Sequence, residues 1–344
     1  MDSNSVSLDL LGWNKHNRED PQLSEGQGIS RVVVEHRGAY ELLGPRGSNE
    51  AVLDSVVRGQ ADEPTDYPAV GDWVIHSLEP IDNRRVAIVE VLPRRSMIAR
   101  RASGAAPLPQ IVGANIDTLA IVTSPDQDLD EHLIERYLVT AIGGGTSPVL
   151  IVNKIDLGDG GVIRDRLIRR GIEHPILMTS AETGDGMDAL ASLLLGGATV
   201  AFTGASGVGK STIVNRLVGD AVLATGSVSN EGSGRHTTIR RELLVAGGGA
   251  LIDTPGLREL QLWNGEGLDQ VFTDIARFAV RCKFADCSHR DEPDCEVTGA
   301  LKDGDIDPDR LTSYLDLCHE LSELAEEIEE YERTRRRRRD ARRT

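Results

Sequence analysis

Residues Gly204 to Ser211 read G-A-S-G-V-G-K-S, a glycine-rich turn that ends in a lysine and a hydroxyl. Gly204, Gly207 and Gly209 let the backbone approach a polyphosphate and aim successive N–H groups at it from a helix N-terminus. With Ala205, Ser206, Val208 and Thr212 they form the phosphate-binding stretch, Lys210 reaching the β/γ-phosphates and Ser211 binding Mg²⁺. Such a loop alone does not choose between ATP and GTP. Asn153-Lys154-Ile155-Asp156 makes the choice. A carboxylate at Asp156 can accept two hydrogen bonds from the N1–H and exocyclic amine of guanine, groups adenine lacks, so the wrong base leaves a polar group unpaired. Ser180-Ala181 offers a backbone N–H to guanine O6. Asp253-Thr254-Pro255-Gly256 is a D-x-x-G element, with Asp253 on Mg²⁺ through water and Gly256 sensing the γ-phosphate. Gly234-Arg235-His236-Thr237-Thr238 stands where a threonine would close over the metal.

Each of these motifs is placed by an apolar run. Thr199 to Phe202 leads into the phosphate loop, Pro148 to Val152 into N-K-x-D, and Ala250 to Ile252 into D-x-x-G, while Ile176 to Ala181 is a strand that ends in Ser180-Ala181. Ile116 to Val122 reads as a further strand, and Leu129 to Ile142 as a helix with Leu133, Ile134, Tyr137, Leu138 and Ala141 on one face. Alternating strands and helices over 110–265 imply a largely parallel, doubly wound sheet with its sites at the strands' carboxyl ends. Ras-like GTPases carry the phosphate loop first and N-K-x-D late. Here the base reader comes first, so the domain is circularly permuted.

The chain has 344 residues, room for two or three domains, and a formal charge of −17, which argues against wholesale coating of nucleic acid. No apolar run approaches membrane-spanning length, and the polar start lacks a secretory signal, so a cytoplasmic protein without membrane contact is expected. Residues 1–27 are polar and read as loosely ordered, with Trp13 as a packing anchor. Over 28–101 five short strands, at Ile29–Val34, Tyr40–Leu43, Val52–Val57, Trp73–His76 and Val86–Val91, fit a small β-barrel with the OB-fold leading. Arg84, Arg85, Arg94, Arg95, Arg100 and Arg101 supply local charge, either for RNA or as a solvated face. Residues 102–109 have linker composition.

Past Trp263 the alternation stops, and 266–332 reads as a helical domain. Cys282-x4-Cys287-x-His289-x5-Cys295 provides three thiolates and an imidazole, the complement of a closed, structural zinc site. Asp307-Pro308 is a helix start, followed by Leu311, Tyr314, Cys318, Leu321, Ala325 and Ile328 at alternating spacings of three and four. The arginine-rich block in 333–344 is expected to stay disordered until it meets polyanion, with rRNA as its partner.

The permuted order, L-G-W-N at Leu11 to Asn14, G-R-H-T-T and the Cys/His spacing together resemble the RsgA (YjeQ) family over nearly the whole chain. Members are bacterial GTPases stimulated by the small ribosomal subunit. The resemblance implies an OB-fold, a permuted P-loop GTPase domain and a zinc-binding helical domain. It also implies a monomer that binds GTP/GDP, the 30S subunit and 16S rRNA in late maturation. Leu257 stands where Ras-like enzymes carry a water-orienting glutamine, so unaided turnover should be slow, about 10⁻⁴ to 10⁻³ per second. His236 is the side chain in reach, and the resemblance implies that a switch histidine is catalytic; ordering the switch is its other possible role. Thr238 rather than Thr237 is taken for Mg²⁺, because comparable GTPases place that ligand just before the residue opening the next strand. The rival function is an RNA-binding scaffold in which GTP is only a conformational lock.

Overall fold

The structure is a computed structural model that describes residues 5–16, 21–36, 38–82, 84–102, 104, 106–219, 242–253 and 261–341, with the backbone alone at 16, 253 and 338–341. The N-terminal segment is packed where it is described, contrary to its polar composition. Val6, Leu11 and Trp13 are buried, and α1 (Trp13–His16) sets the Trp13 ring edge-on to Trp73 at 4.9 Å.

The barrel comprises β1 (Gln27–His36), β2 (Ala39–Gly44), β3 (Gly47–Leu53), β4 (Trp73–Ser77) and β5 (Arg85–Val91), with α2 (Ser55–Gln60) after β3. The strands pair in the order β1-β2-β3-β5-β4, and β4 closes back on β1 from Gln27–Ser77 to Arg31–Trp73. Val32, Leu42, Ala51, Val74 and Ile88 fill its interior, an OB-like arrangement. The third strand lies earlier than Val52–Val57, because the Asp54 carboxylate accepts the Val56 N–H at 2.8 Å and caps a helix there. The linker-like residues after Arg101 connect an antiparallel hairpin of β6 (Met97–Arg101) and β7 (Pro109–Ala114).

The second sheet contains β8 (Thr118–Thr123), β9 (Ser147–Val152), β10 (Ile176–Met178), β11 (Thr199–Gly204), β12 (Glu242–Ala246) and β13 (Gly249–Asp253). Its order is β10-β9-β8-β11-β13-β12, parallel except for β12. Both faces are apolar, which is why these strands read as continuous hydrophobic runs. Leu119, Ile121, Leu150 and Ile252 face one core, shared with α3 (Glu131–Gly143) and α4 (Gly160–Arg169). Ala120, Ile151, Phe202 and Leu251 face the other, shared with α5 (Met187–Ala191) and α6 (Lys210–Val218). Barrel and sheet meet through a β1–β12 pairing at Val34–Glu242.

Helices α7 (Leu268–Val271), α8 (Thr273–Ala279), α9 (Glu296–Asp303) and α10 (Pro308–Ala341) add Phe272, Ile275, Val297, Leu311 and Tyr314 to the α3 side of the core. An ion network fixes them there. Glu135 on α3, fully buried, accepts from Arg310 at 2.9 Å and Arg170 at 2.8 Å, and Arg310 also donates to Asp274 at 2.7 Å. The arginine-rich end is helical through Ala341 rather than disordered. Glu329–Arg333 and Glu332–Arg336 pairs one turn apart support it, and Arg335 reaches Glu63 of the barrel. Replacing Glu135 with Gln removes the fully buried carboxylate that Arg170 and Arg310 share, leaving Arg310 to Asp274 and Arg170 to the more exposed Asp307 and Glu131. The variant should lose about 3–5 kcal/mol of stability in urea denaturation.

Candidate functional site

Four strand ends converge. Strand β11 turns at Gly204, with φ +136°, into the loop that ends at Gly209, with φ +96°, where α6 begins. Both glycines are required. A Cβ on Gly204 would stand 2.1 Å from the Val122 carbonyl oxygen, and one on Gly209 2.4 Å from Asn153 Nδ2. Ser211 and Thr212 are exposed in the first turn of α6, while Val208 is buried beneath the loop. Lys210 Nζ donates to the carbonyls of Gly204 at 2.8 Å and Ala205 at 2.6 Å.

Asn153 joins this loop to the Ser180-Ala181 turn. Its buried Nδ2 donates to the Val208 carbonyl at 2.9 Å, while its Oδ1 accepts from the Ala181 N–H at 3.1 Å and the Thr179 hydroxyl at 3.2 Å. Ser180 Oγ donates to Asp156, and the Thr183 N–H donates back to Ser180 Oγ at 3.1 Å. Lys154, in a left-handed conformation with φ +60°, reaches Asp126 at 2.7 Å. The hydrogen bond from Lys154, aided by Ser124, holds the Asp126 carboxyl below its ordinary range. Asp253 ends β13 beside β11, in register from Thr199–Ala250 to Ala201–Ile252. His236, Thr238, Gly256 and Leu257 lie outside the described residues.

Three contacting side chains belong to none of the motifs. Arg216 on α6 donates to the carbonyls of Ala181 at 2.8 Å and Glu182 at 3.0 Å, tying the phosphate-loop helix to the turn after β10. Asp126 and Gln127 leave the carboxyl end of β8, and Gln127 donates to the Ser206 carbonyl at 3.0 Å. The rule that ligands sit at the carboxyl ends of parallel strands points to 124–127, but only once β8 is known to neighbour β11. Conversely, the barrel arginines are partly structural. Arg94 donates to Asp72 at 2.7 Å and to the Tyr67 carbonyl at 2.8 Å, Arg85 pairs with Asp82, and Arg101 pairs with Glu327. A cavity of about 890 Å³ between barrel, hairpin and the Leu262–Glu266 segment includes none of the motif residues.

A second cluster forms between α8 and α9. The ligand atoms of Cys282, Cys287, His289 and Cys295 lie within 4.8 Å of one another, with His289 Nδ1 3.6 Å from the sulfurs of both Cys282 and Cys295. His289 holds φ +59° and Asp294 φ +60° in the connecting loop, and the Glu292 carboxylate clamps that loop by accepting the Ser288 N–H at 2.7 Å. Burial opposes ionisation of Cys295, yet hydrogen bonds from Thr298 and His289 outweigh it and bring the thiol down to about 6. Three sulfurs and one imidazole nitrogen converging in this way can hold a metal ion.

The RsgA GTPase family model matches residues 91–263, from the end of β5 past D-x-x-G. The chain belongs to the RsgA GTPase family. A second model, for 50S ribosome-binding GTPases, matches residues 199–336, beginning at β11. The chain is similar to the small ribosomal subunit biogenesis GTPase RsgA of Opitutus terrae, 42% identical over 92% of this chain and 90% of that one. Its identity to RsgA 2 of Lactiplantibacillus plantarum is 38%, with the same coverage. Among solved structures, YjeQ from Thermotoga maritima shares 27% identity at a TM-score of 0.62, covering 86% of this chain and 98% of that one. YloQ, described as a circularly permuted GTPase, shares the fold at 21% identity and a TM-score of 0.62, over 88% of this chain and 98% of that one. The RsgA relatives are GTPases by name, and the permuted order of strands and motifs here is that of a GTP-hydrolysing domain.

The Cys/His cluster yields its own prediction. The purified chain should carry one equivalent of metal by elemental analysis, and Cys295→Ala should lose it and lower Tm by several degrees.

Proposed function

We propose that this chain hydrolyses GTP in the biogenesis of the small ribosomal subunit and is stimulated by that subunit. The carrying observation is the bond from Asn153 to the Val208 carbonyl at 2.9 Å, which sets the base-reading and phosphate-binding motifs on one site although their order is reversed. The naming of its relatives as small-subunit biogenesis GTPases supports the small subunit as partner.

Asp156 reads guanine N1–H and the exocyclic amine, and Ser180 orients its carboxylate. Ala181 meets O6, and Lys154 lies along the base. Backbone N–H groups of 204–209 cradle the phosphates, and Lys210 leaves its carbonyl partners for the β/γ-phosphates. Ser211, Thr238 and Asp253 would hold Mg²⁺, which neutralises charge on the phosphates when bound. Because Leu257 cannot orient water, His236 completes the site when rRNA is bound. The segment 254–260 leads into Leu262, whose N–H donates to Glu320 of α10 at 2.8 Å, so γ-phosphate loss can alter how the C-terminal helices sit. Three thiolates and an imidazole favour zinc over harder ions, as a closed staple of this region.

The domain reading is a barrel over 28–101, the GTPase domain over 110–265, the zinc-binding region over 266–332 and an arginine-rich end over 333–344. Barrel and arginine-rich end contact 16S rRNA, and the factor works as a cytoplasmic monomer.

GTP turnover assayed in parallel with small subunits, large subunits and naked RNA decides the matter. Stimulation by small subunits alone is expected; equal rates in all arms defeat the activation claim. His236→Ala should retain GTP binding and lose subunit-stimulated turnover by about a hundredfold. Asp156→Ala should weaken GTP binding without gaining affinity for ATP, read by calorimetry.

A further inference from the structure

The backbone of the phosphate loop is held from outside by two side-chain amides in the same manner. Asn153 Nδ2 donates to the Val208 carbonyl at 2.9 Å and would stand 2.4 Å from a Cβ on the following residue, Gly209. Gln127 Nε2 donates to the Ser206 carbonyl at 3.0 Å and would stand 2.8 Å from a Cβ on the following residue, Gly207. Both glycines have positive φ, +96° and +84°. Each carboxamide occupies the space a side chain would take, and each secures the carbonyl just before it. Asn153 belongs to N-K-x-D; Gln127 belongs to no motif and comes from the turn after β8.

A trans peptide is planar, with its C=O and N–H pointing in opposite directions. Securing the Ser206 carbonyl outward therefore aims the Gly207 N–H inward. Without that bond, a peptide flanked by glycine can rotate at little cost. We propose that Gln127 is a positioning residue for GTP hydrolysis, holding the Ser206–Gly207 peptide so that the Gly207 N–H faces the β/γ-phosphates. The inference rests on the reading of 204–212 as the phosphate loop. A donor fixed before reaction stabilises charge that grows as the γ-phosphoryl departs, so its effect falls on the chemical step more than on ground-state affinity.

The test uses the full chain with saturating GTP, in single-turnover assays with and without purified small ribosomal subunits, together with GDP titration and thermal melts. Gln127→Met keeps the length and removes the donor; Gln127→Glu replaces the amide with a group that cannot donate when ionised. Both should lose about tenfold in rate, less than the loss of a direct donor, with Kd for GDP within about twofold of wild type and Tm unchanged. A Gln127→Met rate equal to wild type overturns the proposal, as does a loss confined to GDP affinity or to Tm. Lys210→Ala, run alongside, separates the two readings. If it binds GDP as tightly as wild type, the phosphate-loop reading falls and the proposal with it.

Discussion

A buried guanidinium sets the frame in which this site can exist. Arg31 on β1 is wholly inaccessible, and its partners are the carbonyls of Gly71 at 3.0 Å, Leu11 at 2.5 Å and Asn115 at 3.0 Å, and the Thr199 hydroxyl at 2.8 Å. Burial pulls its pKa down to about 10, against the pull of Asp117 and Asp72, so the group stays charged at neutral pH. A buried cation must find such acceptors together or not fold. Those acceptors come from the N-terminal segment, the barrel, the approach to β8 and the first residue of β11. One side chain thereby fixes where β11 begins, and the strand's rigid length fixes where the phosphate loop lies.

Circular permutation changes which loops are covalent and leaves the strand neighbours alone. Strand β11 sits between β8 and β13, so loops from distant parts of the chain meet at one edge. The cost of closing a loop grows slowly with its length, so rearranged connections add little against the burial of a two-faced sheet. What must survive rearrangement is the local bonding at the strand ends, and Asn153 supplies it with three contacts from one buried carboxamide. The C-terminal helices then rest on α3 through Glu135 and Arg310, and on the exit of the D-x-x-G segment through Glu320.

Motif chemistry was legible along the chain because it depends on residue types a few positions apart. N-K-x-D, the phosphate loop and the Cys/His spacing each name their chemistry within one loop or two. The apolar runs marked the strands because burial on both faces leaves no room for polar alternation, as at Thr118–Thr123. Misreadings arose where a short contact outweighed composition. Asp54 capped a helix inside an expected strand, whereas the packing expected of Trp13 is met by Trp73. The arginine-rich end became helix because glutamates stand one turn before its arginines.

From the sequence alone came the base, the phosphates, the metal-ligand set and the reversed order of the motifs, since each is carried by side-chain type and local spacing. The tertiary structure decided which strands are neighbours and therefore that Gln127, Asp126 and Arg216 brace the site, and that Arg94 faces Asp72. Those contacts join residues between 22 and 79 positions apart. Only the energy of packing the whole sheet and barrel selects such pairs, and no local pattern records it.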